Sequence, residues 1–163
     1  MTEVVYRDGV SLRTGLRAIG RSFLFRGRST RSELTSALIL IALAEAALFL
    51  LIHFFHPPTA PSVHTFQLRA AFEEALALLL LVPLLGLIVR RLHDTGLPAI
   101  PGLLLAAIVV ASDLNRTQAA MGLYPGVPVL PMAGPVALAL LVIALYWSPE
   151  NGTNRFGADP RTA

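Results

Sequence analysis

Long apolar stretches, separated by short polar segments, dominate the pattern of this chain. Four of them predict transmembrane helices, at residues 34–55, 70–89, 98–112 and 127–147. The first has 22 residues. A helix of that length spans about 33 Å at ~1.5 Å per residue, enough for the ~30 Å core of a bilayer. The third is shorter, and the pattern leaves open whether its helix continues past Asp113 and Asn115. The pattern predicts an all-α, polytopic membrane protein in which residues 1–163 form a single membrane domain.

The segment before the first apolar stretch has the pattern of a short amphipathic helix. Apolar side chains and arginines recur on separate stripes at helical spacing, with Leu12, Leu16, Ile19 and Phe23 on one and Arg13, Arg17 and Arg21 on the other. One hypothesis is that this helix lies on an anionic membrane surface. The other is that it packs on the transmembrane bundle with its arginines solvated. The two hypotheses are compatible, and the pattern does not choose between them.

Composition favours the membrane class and excludes several others. Of the 163 residues, 55% are hydrophobic and only 14% are charged, against roughly 25% charged residues in soluble domains. This balance excludes a disordered chain and argues against an ordinary soluble domain. The net charge of +3 is too small to indicate binding to nucleic acid. The chain has no cysteine, which excludes disulfides, thiolate metal sites and a cysteine nucleophile.

The basic residues, all 13 of which are arginine, predict the orientation of the four helices. If the chain crosses the membrane four times, three segments share one side of it. These are residues 1–31, the loop between the second and third predicted helices, and the tail of residues 148–163. Those segments hold 11 of the arginines, and the opposite side holds only Arg69 and Arg116. Because arginine concentrates in cytoplasmic segments, both termini are predicted to be cytoplasmic and the loop of residues 56–67 external.

Three short motifs lie on the predicted cytoplasmic side and hold most of the residues with recognisable chemistry. Motif 1 leads into the first helix and contains Phe25, Gly27, Arg28, Arg31 and Glu33. Motif 2 follows the second helix and contains Arg90, Arg91, His93, Asp94 and Gly96. Motif 3 follows the fourth helix and contains Gly152, Asn154, Phe156, Gly157, Asp159 and Pro160. The motifs are far apart in sequence, but we expect them to meet around the inner ends of the helices.

Together the motifs resemble those of the bacterial inner-membrane family called domain of unknown function 805. The family pattern is an F-x-G-R-x-x-R-x-E box, an R-R-L-H-D-x-G box and a terminal G-x-N-x-Y/F-G-x-D-P box. The resemblance extends over residues 18–160. It implies a small multi-span protein of the bacterial plasma (inner) membrane, and it implies no agreed activity.

The arginines and acids of the motifs admit three interpretations. In the first, they pair with one another and tie the helix ends together, with Arg31, Arg91 and Asp94 shielded despite their charge. In the second, surplus arginine beside backbone N–H groups binds an anion such as a phospholipid head group. In the third, the motifs form a docking surface for a second copy of this chain or for another membrane protein.

No catalytic or metal site is predicted. The His93–Asp94 pair would need further ligands to hold a metal ion, and the other three histidines fall at or beyond the opposite surface. Ser29 and Ser32 lie near this pair, but no nucleophile-elbow motif surrounds them. No glycine-rich phosphate loop is present. We therefore expect a protein that is not an enzyme and needs no cofactor.

The favoured hypothesis is a membrane component whose arginine-rich cytoplasmic face binds anionic lipid or a partner protein. The alternatives are a subunit of a small oligomeric transporter or channel, and a lipid-modifying enzyme. Intramembrane acids mark transport paths, and Glu45, near the predicted midplane, is the one candidate. We expect it to be neutral. It should either face the second helix and bond to the Leu79 carbonyl, which Pro83 leaves free, or to a water beside it, or face a subunit interface or polar cavity.

Overall fold

The computed structural model describes residues 9–55, 63–122 and 126–159. Within these ranges the chain forms helices and no strand, in the order α1 (Leu12–Ser22), α2 (Arg31–Phe55), α3 (Val63–Asp94), α4 (Ala99–Ala120) and α5 (Leu130–Tyr146). The predicted all-α class is confirmed. The helix α1 corresponds to the predicted amphipathic segment, and α2 to α5 correspond in order to the four predicted membrane helices.

The third and fourth helices extend beyond the apolar stretches from which they were predicted. The helix α3 begins at Val63 instead of residue 70 and ends at Asp94 instead of residue 89. The prediction that Arg90 lies in a loop is therefore wrong, because motif 2 begins inside the last turns of α3. The helix α4 ends at Ala120 instead of residue 112. A charged residue ends an apolar run, but it does not interrupt backbone hydrogen bonding, and arginine and glutamate are good helix formers.

The helix α5 begins at Leu130, three residues later than predicted, and ends at Tyr146. Val127 and Val129 instead form a turn whose backbone bonds lead into the helix, from Leu130 N–H to the Val127 oxygen at 3.1 Å and from Ala133 N–H to the Val129 oxygen at 3.1 Å. Pro131 stands in the first turn, where a missing N–H costs nothing.

Two of the helices are long and apolar enough to cross a membrane, α2 over Arg31–Ile52 and α4 over Ala99–Ala120. Only 17% and 22% of their apolar windows are buried in the fold. A core helix of a soluble protein buries most of such a surface, so this exposure points to a membrane environment. The helix α5 is a shorter apolar helix of 17 residues.

The three motifs lie at one end of the bundle, which we call the motif end. It is formed by the first turns of α2 and α4 and the last turns of α3 and α5. The buried apolar core lies toward this end, and its members include Leu34 and Ala37 of α2, Leu87 and Leu92 of α3, and Leu141 and Leu145 of α5. The other half of α2 is mostly exposed. The motif end is therefore the tightly packed part of the molecule.

The helix α1 packs on the bundle through its small residues and leaves its large apolar residues outside. Thr14, Gly15, Ala18 and Ser22 are buried against α2 and α3. The side chains of Leu12, Leu16 and Phe23 are 62%, 64% and 63% exposed, whereas Ile19 packs against the core. Both hypotheses for this segment are compatible with the arrangement, because one face contacts the bundle and the apolar stripe remains available to a membrane surface.

Glycines allow α1 to approach the bundle at backbone distance. A Cβ atom at Gly15 would lie 2.7 Å from the Ser36 carbonyl oxygen of α2. A Cβ atom at Gly86 of α3 would lie 2.6 Å from the Ser22 carbonyl carbon. Small residues at such crossings are what membrane helices use to pack closely.

Gly86→Ala should therefore destabilise the protein, whereas Gly20→Ala should not. The added methyl group at position 86 meets backbone, which cannot rotate away, and overpacking of this kind costs about 1–3 kcal/mol. Nothing lies within 4 Å of a Cβ atom at Gly20, and alanine there favours the helix by up to about 1 kcal/mol. The melting temperatures of both variants are measured by thermal unfolding in detergent. Equal melting temperatures for the two variants would contradict the close crossing.

Candidate functional site

Asp94 is the centre of a buried group of charges at the motif end. Its Oδ1 atom accepts a hydrogen bond from Arg28 Nε at 2.9 Å, and its Oδ2 atom accepts one from Arg91 Nη1. The exposed fractions are 2% for Asp94, 4% for Arg28 and 0% for Arg91. One buried carboxylate thus pairs with two buried guanidinium groups, one from motif 1 and one from motif 2.

Arg91 also holds the carboxyl end of α5. Its Nε donates to the Leu145 oxygen at 2.6 Å and its Nη2 to the Trp147 oxygen at 2.8 Å. The last carbonyls of a helix have no partners within the helix, and a cation there is favoured by the helix dipole. Arg91 therefore joins the ends of α3 and α5.

Arg31 reaches the same carbonyl from the first turn of α2. Its Nη2 donates to the Trp147 oxygen at 3.0 Å. The residue is exposed, so the prediction that Arg31 is shielded is wrong. At this position the first turn of α2 faces outward, and only the tip of the side chain returns to the cluster.

Arg28 draws the chain after α5 back onto the bundle. Its guanidinium donates to the backbone oxygens of Glu150 and Gly152, in addition to Asp94. The Glu150 backbone N–H donates to the backbone carbonyl oxygen of Asp94 at 2.9 Å. These bonds place motif 3 directly over the end of α3.

Motif 3 forms a tight turn that rests on His93. Asn154 and Gly157 exchange backbone hydrogen bonds at 3.1 and 3.0 Å, and Gly157 takes a φ of +136°, a conformation that favours glycine. The Asn154 side chain donates to the His93 oxygen at 2.9 Å. The Phe156 ring stacks on the His93 ring with centroids 4.0 Å apart. The guanidinium carbon of Arg155 lies 4.7 Å from the centroid of the Phe156 ring.

The remaining acids of the motifs cap backbone N–H groups. Buried Asp159 accepts from the Gly152 N–H at 3.2 Å, and Pro160 lies outside the described residues. Glu33 accepts from the Thr30 N–H at 3.2 Å, while Thr30 Oγ1 accepts from the Glu33 N–H at 3.2 Å. This reciprocal pair is a capping box at the start of α2. The spacing of Thr30 and Glu33 is the sequence signature of that box, although the box was not among the predicted features.

The other three glycines of the motifs also have positive φ angles, which favour glycine, and that of Gly152 is +78°. Gly27 has a φ of +86° and Gly96 a φ of +75°. At Gly96 a side chain would also meet Glu150, since a Cβ atom would lie 2.6 Å from Glu150 Oε2. Phe25, by contrast, is exposed and is not brought into the cluster.

Arg90 is the one buried arginine of the motifs with unsatisfied donors in the described part of the chain. It is 6% exposed. Its Nη2 donates to the Arg28 oxygen at 2.9 Å, and its Nε and Nη1 have no partner. Burial lowers the pKa of Arg90; the nearby Glu33 carboxylate opposes this shift and Arg21 adds to it. Glu33 bonds within the capping box, and it forms no direct ion pair with Arg90.

The described side chains of the cluster join helix ends to one another, and they do not form a metal site. Within residues 9–55, 63–122 and 126–159, no three or more histidine, aspartate or glutamate side chains lie close enough together to hold a metal ion. Burial lowers the pKa of His93, against a smaller opposing contribution from the Gly27 backbone. Its Nδ1 atom has no hydrogen-bond partner.

Glu45 is half-buried in α2. In the part of the chain that the structure describes, no hydrogen bond joins its carboxyl group to the Leu79 carbonyl, and Leu79 itself is exposed. The direct bond predicted from Pro83 is therefore wrong. The buried core residues of α2 and α3, such as Leu34 and Leu87, lie toward the motif end instead. The alternative placement at a subunit interface or in a polar cavity stays a prediction.

Comparison with known proteins identifies the family. Residues 22–158 match the model of the family described as "Protein of unknown function (DUF805)". No curated protein and no solved structure matches the chain. The matched range contains Arg28, Arg91 and Asp94 and all five helices except the first ten residues of α1, and it ends one residue before Asp159. The chain therefore belongs to the DUF805 family of proteins of unknown function.

Proposed function

We propose that this protein is a non-enzymatic, four-span protein of the bacterial inner membrane that binds anionic lipid at its motif end. The observation that carries the proposal is the arrangement of α1. Its small face is packed on the bundle, and its exposed apolar stripe lies beside exposed arginines. That combination is typical of a helix lying in the interface of an anionic leaflet.

The connectivity of the helices supports four spans. The helices α2 and α4, which are long and apolar enough to cross a membrane, both begin at the motif end. If they cross, α3 and α5 must cross back, because both end at the motif end. Tyr146 and Trp147 are exposed there, as expected of aromatic residues at the boundary between the hydrocarbon and water. The excess of arginine on this side supports a cytoplasmic location for it.

The arginines divide into two groups with different tasks. Arg28 and Arg91 are buried and bonded within the cluster. Arg13, Arg21 and Arg26 are exposed, and no ion pair or hydrogen bond joins their side chains to another described residue. The second group surrounds the apolar stripe of α1. Each basic residue near an anionic membrane surface contributes about 1 kcal/mol of binding, so the exposed group is the one that should attract lipid.

The proposal is tested by thermal unfolding in detergent micelles with added phosphatidylglycerol or phosphatidylcholine. Phosphatidylglycerol should raise the melting temperature more than phosphatidylcholine does. The double variant Arg13→Gln/Arg21→Gln should lose at least half of this difference, since it removes about 2 kcal/mol of attraction.

The control is Arg116→Gln, which removes one positive charge near the other end of α4. It should keep the full response to phosphatidylglycerol. An equal response of the wild-type protein to both lipids, or an equal loss in the control, would contradict anionic lipid binding at α1.

A further inference from the structure

A pocket opens between α3, α4 and α5 at the end of the bundle opposite the motif end. Its volume is about 280 Å³. Leucine and valine side chains line one part of it, and Glu74, Ser112, Asp113 and Arg116 line the other. None of these four residues belongs to the three motifs.

The lining changes from polar to apolar in the same direction along α3 and α4. On α3, Glu74 is followed toward the motif end by Leu78 and Leu81. On α4, Asp113 gives way to Val109 in that direction, and α5 contributes only Gly134, Pro135 and Leu138. The pocket therefore has a polar mouth and an apolar interior.

Ser112 supplies a buried polar group without a partner. The residue is 2% exposed, and its Oγ atom forms no hydrogen bond in the described part of the structure. It faces Gly134 of α5, where a Cβ atom would lie 2.5 Å from Ser112 Cβ. A buried hydroxyl group that lacks a partner is unfavourable. A ligand that occupies the pocket could satisfy it.

The charged groups at the mouth are also available. The carboxylates of Glu74 and Asp113 form no ion pair or hydrogen bond with another described residue. Arg116 donates one hydrogen bond, from Nη2 to the Pro131 oxygen at 3.0 Å. A primary ammonium group has three donors for carboxylates, and the planar guanidinium of arginine pairs with phosphate. The mouth thus matches a ligand that carries both an ammonium group and a phosphate.

The depth of the pocket matches the surface of a membrane. Ser112 lies 13 residues after Ala99, about 20 Å from the motif end at ~1.5 Å per residue, and Arg116 lies about 26 Å from it. The hydrocarbon core is ~30 Å thick. With the spans of the proposed function, the polar mouth falls within about 10 Å of the head groups of the far leaflet, with Arg116 nearest to them, and the apolar interior falls among the acyl chains.

We propose that this pocket binds a zwitterionic aminophospholipid of the leaflet opposite the motif end. The ammonium group pairs with Glu74 and Asp113, the phosphate pairs with Arg116, and an acyl chain occupies the apolar part. The inference rests on the membrane placement of the proposed function. It is independent of the anionic lipid at α1, because it concerns another lipid and other residues.

The test is thermal unfolding in detergent micelles titrated with phosphatidylethanolamine, with phosphatidylcholine, and with water-soluble phosphoethanolamine. Phosphatidylcholine has the same phosphate but a trimethylated nitrogen that donates no hydrogen bond. We expect phosphatidylethanolamine to act at an about tenfold lower midpoint concentration than phosphatidylcholine, the ratio that corresponds to about 1.4 kcal/mol. Phosphoethanolamine should have no effect at matched concentration.

Glu74→Gln and Asp113→Asn, which keep the shape of the side chains, should each raise the phosphatidylethanolamine midpoint to that of phosphatidylcholine. Glu45→Gln, the matched loss of a carboxyl group on α2, should leave the midpoint unchanged. Unfolding without lipid confirms that each variant is folded. Equal midpoints for the two lipids in the wild-type protein would overturn the proposal, as would an equal effect of phosphoethanolamine. Loss of the phosphatidylglycerol response alone would refute only the site at α1.

Discussion

Asp94→Asn is expected to lower the free energy of unfolding by about 3–5 kcal/mol, the cost of removing one partner from a buried ion pair. The carboxylate is 2% exposed and accepts hydrogen bonds from Arg28 and Arg91. Asparagine keeps the size of the side chain but removes the charge that compensates both guanidinium groups. It also turns an amide donor toward groups that can only donate. The substitution therefore leaves two buried cations without their anion.

Asp113→Asn is the matched control for this change. Asp113 is exposed, and no ion pair or hydrogen bond joins its side chain to another described residue. Substitutions at such positions usually change stability by less than about 0.5 kcal/mol. Both variants are compared by chemical or thermal unfolding in the same detergent without added lipid. Similar losses in the two variants would show that Asp94 does not hold the helix ends together.

Arg91→Met is expected to cost about 3–5 kcal/mol, and Arg90→Met about 1 kcal/mol or less, although the two arginines are adjacent and both buried. Arg91 bonds to Asp94 and to the carbonyls of Leu145 and Trp147. Methionine would leave the Leu145 carbonyl without this donor, and it would leave Asp94 and the Trp147 carbonyl with only Arg28 and Arg31, respectively, as donors. Arg90 has a single bond, to the Arg28 oxygen, and two nitrogen atoms, Nε and Nη1, without a partner. Replacing it removes an unfavourable buried charge together with that one bond.

The variants Arg91→Met and Arg90→Met are compared by the same unfolding measurement. The result that matters is which of the two loses more of the free energy of unfolding. The lowered pKa of Arg90, which burial causes, agrees with the view that its charge is poorly compensated. A loss in Arg90→Met that equals or exceeds the loss in Arg91→Met would contradict the hydrogen-bond pattern of the cluster. It would indicate instead that Arg90 has a partner of its own.

The apolar pattern was sufficient to predict the helices and their order, but not their ends. The length of an apolar run reports the part of a helix that contacts hydrocarbon, whereas Arg90 and Arg116 continue their helices beyond it. The consequence is largest for motif 2. A loop would leave its arginines solvated, but the last turns of α3 direct Arg91 into the core of the motif end.

The partners within the cluster were only partly predictable. Opposite charges in Arg91 and Asp94 indicated a pair, and their spacing within a helix allows it. The carbonyls of Leu145 and Trp147 carry no mark in the sequence, because every residue has a backbone oxygen. Exposure could not be predicted from charge type either. Arg31 is exposed and Arg28 is buried, and the difference depends on the direction in which the chain enters α2.

The central claim is that motif 3 folds back onto motif 2 and closes the charged cluster. The most direct measurement is cross-linking of His93→Cys/Phe156→Cys, whose native rings are stacked with centroids 4.0 Å apart. The chain has no cysteine of its own, so the introduced pair is the only source of a cross-link within one molecule. In isolated membranes, oxidation or a short thiol-specific linker should join the pair rapidly, whereas His93→Cys/Gly122→Cys, which places the second thiol beyond the opposite end of α4, should stay unlinked. Failure of the first pair to cross-link, or equal cross-linking of both, would contradict the account.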